Sequence, residues 1–139
     1  METIQVIVGP HLTLQAFQSM SEDTSGIYLV YRINKEDGRL KLIYVGKSVD
    51  VSERVGPTHE HYNDWLEWAD GQEPRLRFSW VILQDHVEDV LRCEAAFIYC
   101  LQPPINCNGK DSFSYEDTVV IFNGRQVCCR SQIMAQKTI

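Results

Sequence analysis

Between His86 and Gln102, Val87, Val90, Leu91, Phe97, Ile98 and Leu101 recur at spacings of three and four, the period of a helix lying on a sheet. Glu94 falls on that apolar stripe, three residues after Leu91 and four before Ile98. A carboxylate buried there costs several kcal/mol unless something compensates it, so Glu94 requires a partner. Six basic residues could line a groove for a polyanion: Arg32, Lys47, Arg54, Arg75, Arg77 and Lys110. Trp65 and Trp68 lie among them and could stack on unpaired bases, although packing in the interior is the commoner fate of tryptophan. The formal net charge of −6 opposes extended nucleic-acid binding at long range and leaves room only for a local basic groove. The five cysteines, at positions 93, 100, 107, 128 and 129, include no CxxC pair, and His86 is separated from Cys93. Zinc and a disulfide framework are therefore both poor readings, and a reducing compartment is expected.

The elements that must position these groups follow from local pattern. Ser25 to Ile33 (SGIYLVYRI) and Leu40 to Gly46 (LKLIYVG) read as the strands of a β-hairpin joined by NKEDGR. Its loop decides which side chains meet. A two-residue Asp37-Gly38 loop pairs Glu36 with Arg39 and puts Tyr28 and Tyr44 on opposite faces. A three-residue loop, with Gly38 left-handed, pairs Lys35 with Arg39 and puts Tyr28, Val30, Leu42 and Tyr44 on one face. Ser48 to Arg54 reads as a short helix with Ser48 as N-cap, stopped by Gly56 and Pro57. A second helix from Thr58 carries Tyr62, Trp65, Leu66 and Ala69 at helical spacing and ends at Asp70-Gly71. Arg75 to Leu83 reads as a strand with Leu76, Phe78 and Trp80 on one face, and Pro103-Pro104 stops the helix that carries Glu94. In the tail, Thr118 to Phe122, Asn123-Gly124 and Arg125 to Cys129 predict a terminal hairpin with a two-residue turn. Val6 to Val8 predicts a brief strand, followed by a short amphipathic helix around Leu12 to Phe17.

In this order the residues resemble the GIY-YIG endonucleases. Gly26-Ile27-Tyr28 reads as the first motif and Tyr44-Val45-Gly46 as the second; Arg54, the helical Glu94 in RCEAAFI and Asn106 in PPIN follow. Either tripeptide alone is weak evidence, whereas the ordered set of five elements is specific. The resemblance covers about residues 25–106 and implies an α/β fold of the α+β type: a small, mainly antiparallel central β-sheet flanked by helices. The whole chain, 1–139, reads as one domain of ordinary globular composition, with an N-terminal extension (1–24) and an added C-terminal hairpin (111–139).

The resemblance implies a metal-dependent endonuclease that hydrolyses nucleic-acid phosphodiesters around a single divalent cation, Mg²⁺ or Mn²⁺, with DNA the favoured substrate. Glu94 would be the metal ligand, a role that would also account for an acid on an apolar face; an ion pair with Arg54 is the structural alternative. Tyr28 and Tyr44 would orient or deprotonate the attacking water, and a phenol with a pKa of about 10 needs a neighbouring cation for that task. Arg54 would contact the scissile phosphate, and Lys47 could add a second contact. His59, His61 and Tyr62 compete for the position after the arginine, with His59 closest to the usual spacing and His61 left open. Gly26, Gly46 and Asn106 would support the site, Asn106 by hydrogen bonding. Only some 33 residues follow Asn106, too few for a separate recognition module, so a homodimer or a protein partner would supply specificity. The alternative is a catalytically inactive nucleic-acid-binding or protein-interaction module on the same fold. No membrane association is expected, and METIQVIVGPHL has no basic stretch before its apolar run, so the expected location is cytoplasmic.

Overall fold

In β1 (Glu2–Val8) the buried residues Ile4, Val6 and Val8 alternate with exposed ones, the period of a strand with one apolar face. The structure, a computed structural model, describes residues 1–20, 26–48, 55–83, 87–125, 127 and 130–139. After β1 come α1 (Leu14–Gln18), β2 (Gly26–Ile33), β3 (Leu40–Ser48), α2 (Tyr62–Trp68), a 3-10 turn (Glu73–Arg75), β4 (Leu76–Leu83), α3 (Val87–Leu101), β5 (Thr118–Gly124) and β6 (Gln132–Ala135). The strands form one mixed sheet in the order β3-β2-β4-β1-β5-β6. Neighbours run antiparallel except β1 and β5, which are parallel. The protein is thus α+β, with a six-stranded sheet between helices. None of the helices among the described residues is long and apolar enough to cross a membrane.

Each face of the sheet has its own core. Helix α3 lays Cys93, Ala96, Phe97 and Ile98 on one face, against Ile4, Val6, Ile27, Leu29, Val45 and Val120. Helices α1 and α2 lay Leu14, Phe17, Trp65 and Ala69 on the other, against Tyr28, Val30, Ile43, Leu76 and Phe78. The stop signals act where local chemistry places them. Asp70 and Gly71 take positive φ (54° and 75°) after α2, and Gln102 takes φ 50° before the two prolines that follow α3.

Four sequence expectations are corrected. First, the β2–β3 loop adopts neither anticipated form. The Asn34 N–H donates to Arg39 O (2.7 Å), so Asn34 faces Arg39 across a four-residue loop in which Gly38 has φ 71°. An irregularity at Val30/Tyr31 then shifts the pairing, and Val30 meets Tyr44 while Tyr28 meets Gly46. Tyr28, Val30 and Tyr44 therefore share the face that the three-residue loop predicts. Leu42 does not: it pairs with Tyr31 and packs on the opposite core, with Ile43 in its place. Second, Asn123-Gly124 is no turn. Both residues belong to β5 beside Ile7 and Val8, and the second strand of the hairpin starts only at Gln132. Gly124, at φ 86°, is required by close approach, because a Cβ there would lie 2.5 Å from the Val8 carbonyl oxygen. Parallel pairing with β1 has overridden a local turn preference. Third, the N-terminal strand is no marginal addition: β1 sits inside the sheet between β4 and β5, so strands from both chain ends join the hairpin region. Fourth, Ser48 closes β3 rather than capping a helix. The short helix expected after it lies outside the described residues, as does Arg54.

Candidate functional site

Strand β3 is one edge of the sheet, and Tyr28, Tyr44, Gly46, His59 and Asn106 lie around it. Tyr28 reaches across from β2 and lies over Gly46, its cross-strand partner. A Cβ at Gly46 would fall 2.3 Å from both Cζ and Oη of Tyr28, so only glycine lets the phenol occupy this place. The ring is buried, and its oxygen lies 2.7 Å from His59 Nε2.

His59 stands in the turn before α2 and is only 4% exposed, which excludes the solvated polar residue that a histidine at a helix start would ordinarily be. Its tautomer follows from its neighbours. The backbone N–H of His61 donates to His59 Nδ1 (2.9 Å), so Nδ1 is an acceptor and the ring proton resides on Nε2. That proton is then donated to the Tyr28 oxygen. The imidazole therefore favours negative charge on the phenol oxygen instead of receiving its proton.

Tyr44 completes an aromatic cluster. Its ring centroid lies 6.1 Å from that of Tyr28, 5.6 Å from His59, 4.9 Å from His61 and 5.7 Å from Trp65. The other two candidates of the His59 stretch each meet a carboxylate. His61 Nδ1 contacts Asp64 (3.0 Å), and the Tyr62 hydroxyl donates to the Glu73 carboxylate. Burial, with that carboxylate, pushes the Tyr62 phenol up to about 12. Sequence reasoning missed Trp65 as the wall of this cluster: it is fully buried, its ring 4.4 Å from His59. Its helical spacing with Tyr62 and Ala69 did signal burial.

Asn106 holds the edge strand. Its Oδ1 accepts from the Val45 N–H and its Nδ2 donates to the Val45 carbonyl, each at 2.9 Å. Beside it, the Ile105 N–H donates to Ile43 O (3.1 Å). The side-chain amide thus imitates the peptide group of an absent neighbouring strand and satisfies the exposed edge. Gly26, at the start of β2, pairs with Ser48 at the same end of the hairpin.

Glu94 approaches from α3, on the sheet face opposite the aromatic cluster. It is half-buried rather than central to its helix face, a correction to the stripe read from sequence. Leu91 is 39% exposed, and the buried face runs through Cys93, Ala96 and Phe97 instead. Small residues, invisible to a pattern of large apolar ones, define the contact. Burial pushes the Glu94 carboxyl up, and the charge of Lys47 offsets part of that rise. Lys47 follows Gly46 directly, so the carboxylate is tied electrostatically to the strand end that carries the tyrosines. Nowhere among the described residues do three or more His, Cys, Asp or Glu side chains cluster as a metal cage. One half-buried carboxylate leaves the other binding mode of a hard cation, in which waters and a substrate phosphate share the coordination, and the charge of Lys47 opposes the cation there.

The three cysteines among the described residues are free thiols: Cys93 buried, Cys100 half-buried, Cys107 exposed. Burial raises the thiols of both Cys93 and Cys100. No family model, curated protein or solved structure matches the chain.

Proposed function

We propose that the protein is a GIY-YIG-like endonuclease, hydrolysing nucleic-acid phosphodiesters, with DNA as the substrate the motif resemblance implies. The observation that carries this reading is the buried Tyr28 oxygen, held 2.7 Å from a proton-bearing His59 Nε2 directly over Gly46. A hydrogen-bond donor fixed on a phenol oxygen lowers the cost of the phenolate, and a phenolate is the form that takes a proton from an attacking water. Tyr44, at the side of that ring, orients the water. Lys47 contacts the phosphate, and Arg54 has the same role in the motif order. Asn106 keeps the strand end that carries Tyr44, Gly46 and Lys47 from fraying, which preserves the spacing of these groups.

Glu94 would hold a divalent cation, Mg²⁺ or Mn²⁺. When bound, that ion supplies charge neutralisation at the phosphate. Because β3 is an edge strand, groups from both sheet faces border its end, which suits a site built from a helix on one side and an aromatic cluster on the other. With a net charge of −6, recognition of a particular sequence or structure falls to a second subunit or a partner protein.

The test is cleavage of supercoiled plasmid and of labelled single strands with Mg²⁺, Mn²⁺ or EDTA, comparing the parent chain with Glu94→Ala purified in parallel. Cutting that needs the cation and disappears in the variant supports the enzyme. Two folded proteins that both leave each substrate intact refute it in favour of a non-catalytic module.

A further inference from the structure

At the other end of α2 from His59, two cations share one aromatic ring. The Arg32 guanidinium carbon lies 5.4 Å from the centroid of Trp68, and the Lys41 ammonium lies 6.0 Å from it. Arg32 and Lys41 are also direct cross-strand partners in β2 and β3. Like charges placed opposite each other on adjacent strands repel, and attraction to the ring compensates each cation without removing that repulsion. The chain has 19 acidic residues against 13 basic ones, yet no carboxylate among the described residues pairs with either cation. Asp70, at the end of α2, is committed to Arg75 (2.5 Å). Arg32 Nε is buried without a hydrogen-bond partner. An anion bridging the two side chains would relieve the repulsion.

The position of the pair selects the anion. Arg32 follows Tyr28 by four residues on β2, so both side chains leave the same sheet face about 13 Å apart. Helix α2 lies along this face, with Trp65 in its middle against Tyr44 and Trp68 at its C-terminal end against the cations. A duplex strand advances about 3.4 Å along its axis per nucleotide, so a displacement of about 13 Å along that axis is the advance of about four nucleotides. We propose that Arg32 and Lys41, braced on Trp68, form a subsite for a backbone phosphate of the nucleic-acid substrate, displaced along the sheet from the Tyr28 centre. The inference rests on the nuclease reading and names the direction in which the substrate runs.

The test is equilibrium binding of a labelled duplex and of its single strand over a salt series, by fluorescence anisotropy, with EDTA present to prevent cutting. For Arg32→Gln/Lys41→Gln, which removes one phosphate contact, affinity falls about tenfold at moderate salt, and the slope of log K against log salt becomes shallower by about 0.9 on duplex or 0.7 on single strand. The single change Lys41→Gln, at an exposed position, gives about half that loss of slope and guards against a folding defect. Lys137→Gln, remote from the site and paired with Glu116, leaves the slope unchanged. Equal slopes and affinities for parent and double variant overturn the subsite, and so does a parent that binds neither polymer. The plasmid assay with Glu94→Ala decides the nuclease reading separately, because it depends on neither Arg32 nor Lys41.

Discussion

Gly46→Ala is the most informative single change, because it adds one methyl group where the structure leaves no room. The new Cβ would sit 2.3 Å from Cζ and Oη of Tyr28, and both atoms are buried. Either the ring or the strand must move. Overpacking of this kind costs about 1–3 kcal/mol. Displacing the phenol also breaks its 2.7 Å bond to His59 between two buried groups, which costs a further 1–3 kcal/mol or so. The sum, about 2–6 kcal/mol, is a large share of the ~5–15 kcal/mol that stabilises a typical domain. For a chain of 139 residues it corresponds to a fall in Tm of roughly 6–20 °C. The assay is urea denaturation of four proteins: the parent, Gly46→Ala, Tyr28→Ala, and the pair combined. Tyr28→Ala alone destabilises by about 3–5 kcal/mol through the cavity it leaves. With the ring gone, Gly46→Ala has nothing to strike and costs less than about 0.5 kcal/mol, giving a coupling of about 1.5 kcal/mol or more. Two single effects that add within about 0.5 kcal/mol would show that the ring does not lie over Gly46. The account of the tyrosine centre would then be wrong.

Three further outcomes are expected. Asn106→Ala exposes the edge of β3 and loses two hydrogen bonds, lowering stability by about 1–3 kcal/mol, and hydrogen exchange at the Val45 amide accelerates more than at Leu29 in the adjacent strand. Burial raises the Glu94 carboxyl, so its contribution to stability is present in acid and is lost as pH rises through its folded pKa. In EDTA, Glu94→Gln is therefore more stable than the parent at neutral pH and indistinguishable from it near about pH 4; a variant less stable than the parent at neutral pH would contradict this. Finally, brief treatment with a thiol reagent followed by peptide mapping labels exposed Cys107 and spares Cys93 until the protein is denatured.

Several features of the fold are written locally in the chain. The alternation in GIYLVYRI, the helical period from Tyr62 to Ala69, and the breaks at Asp70-Gly71 and Pro103-Pro104 each act over a few residues. Backbone sterics and side-chain spacing therefore expose them without knowledge of the rest. The motif order assigned Tyr28, Tyr44 and Gly46 to one hairpin for the same reason, while the face each tyrosine takes stayed open between two loops.

What tertiary structure alone decided depends on distant partners. The shift at Val30/Tyr31 exchanged Leu42 for Ile43, because the pairing that suits the turn differs from the pairing that suits the two cores. Asn123-Gly124 lost its turn to a parallel partner more than a hundred residues earlier in the chain. His59 is buried by Trp65, Tyr44 and Tyr28 from three elements, and its tautomer is fixed by a backbone N–H that no spacing rule exposes. Glu94 stands at the border of its helix face because Cys93, Ala96 and Phe97 are the residues buried against the sheet while Leu91 is exposed. Local pattern determines what each segment can become. Burial, register and protonation are properties of the contacts between segments, and the free energy that sets them does not exist until the chain has closed on itself.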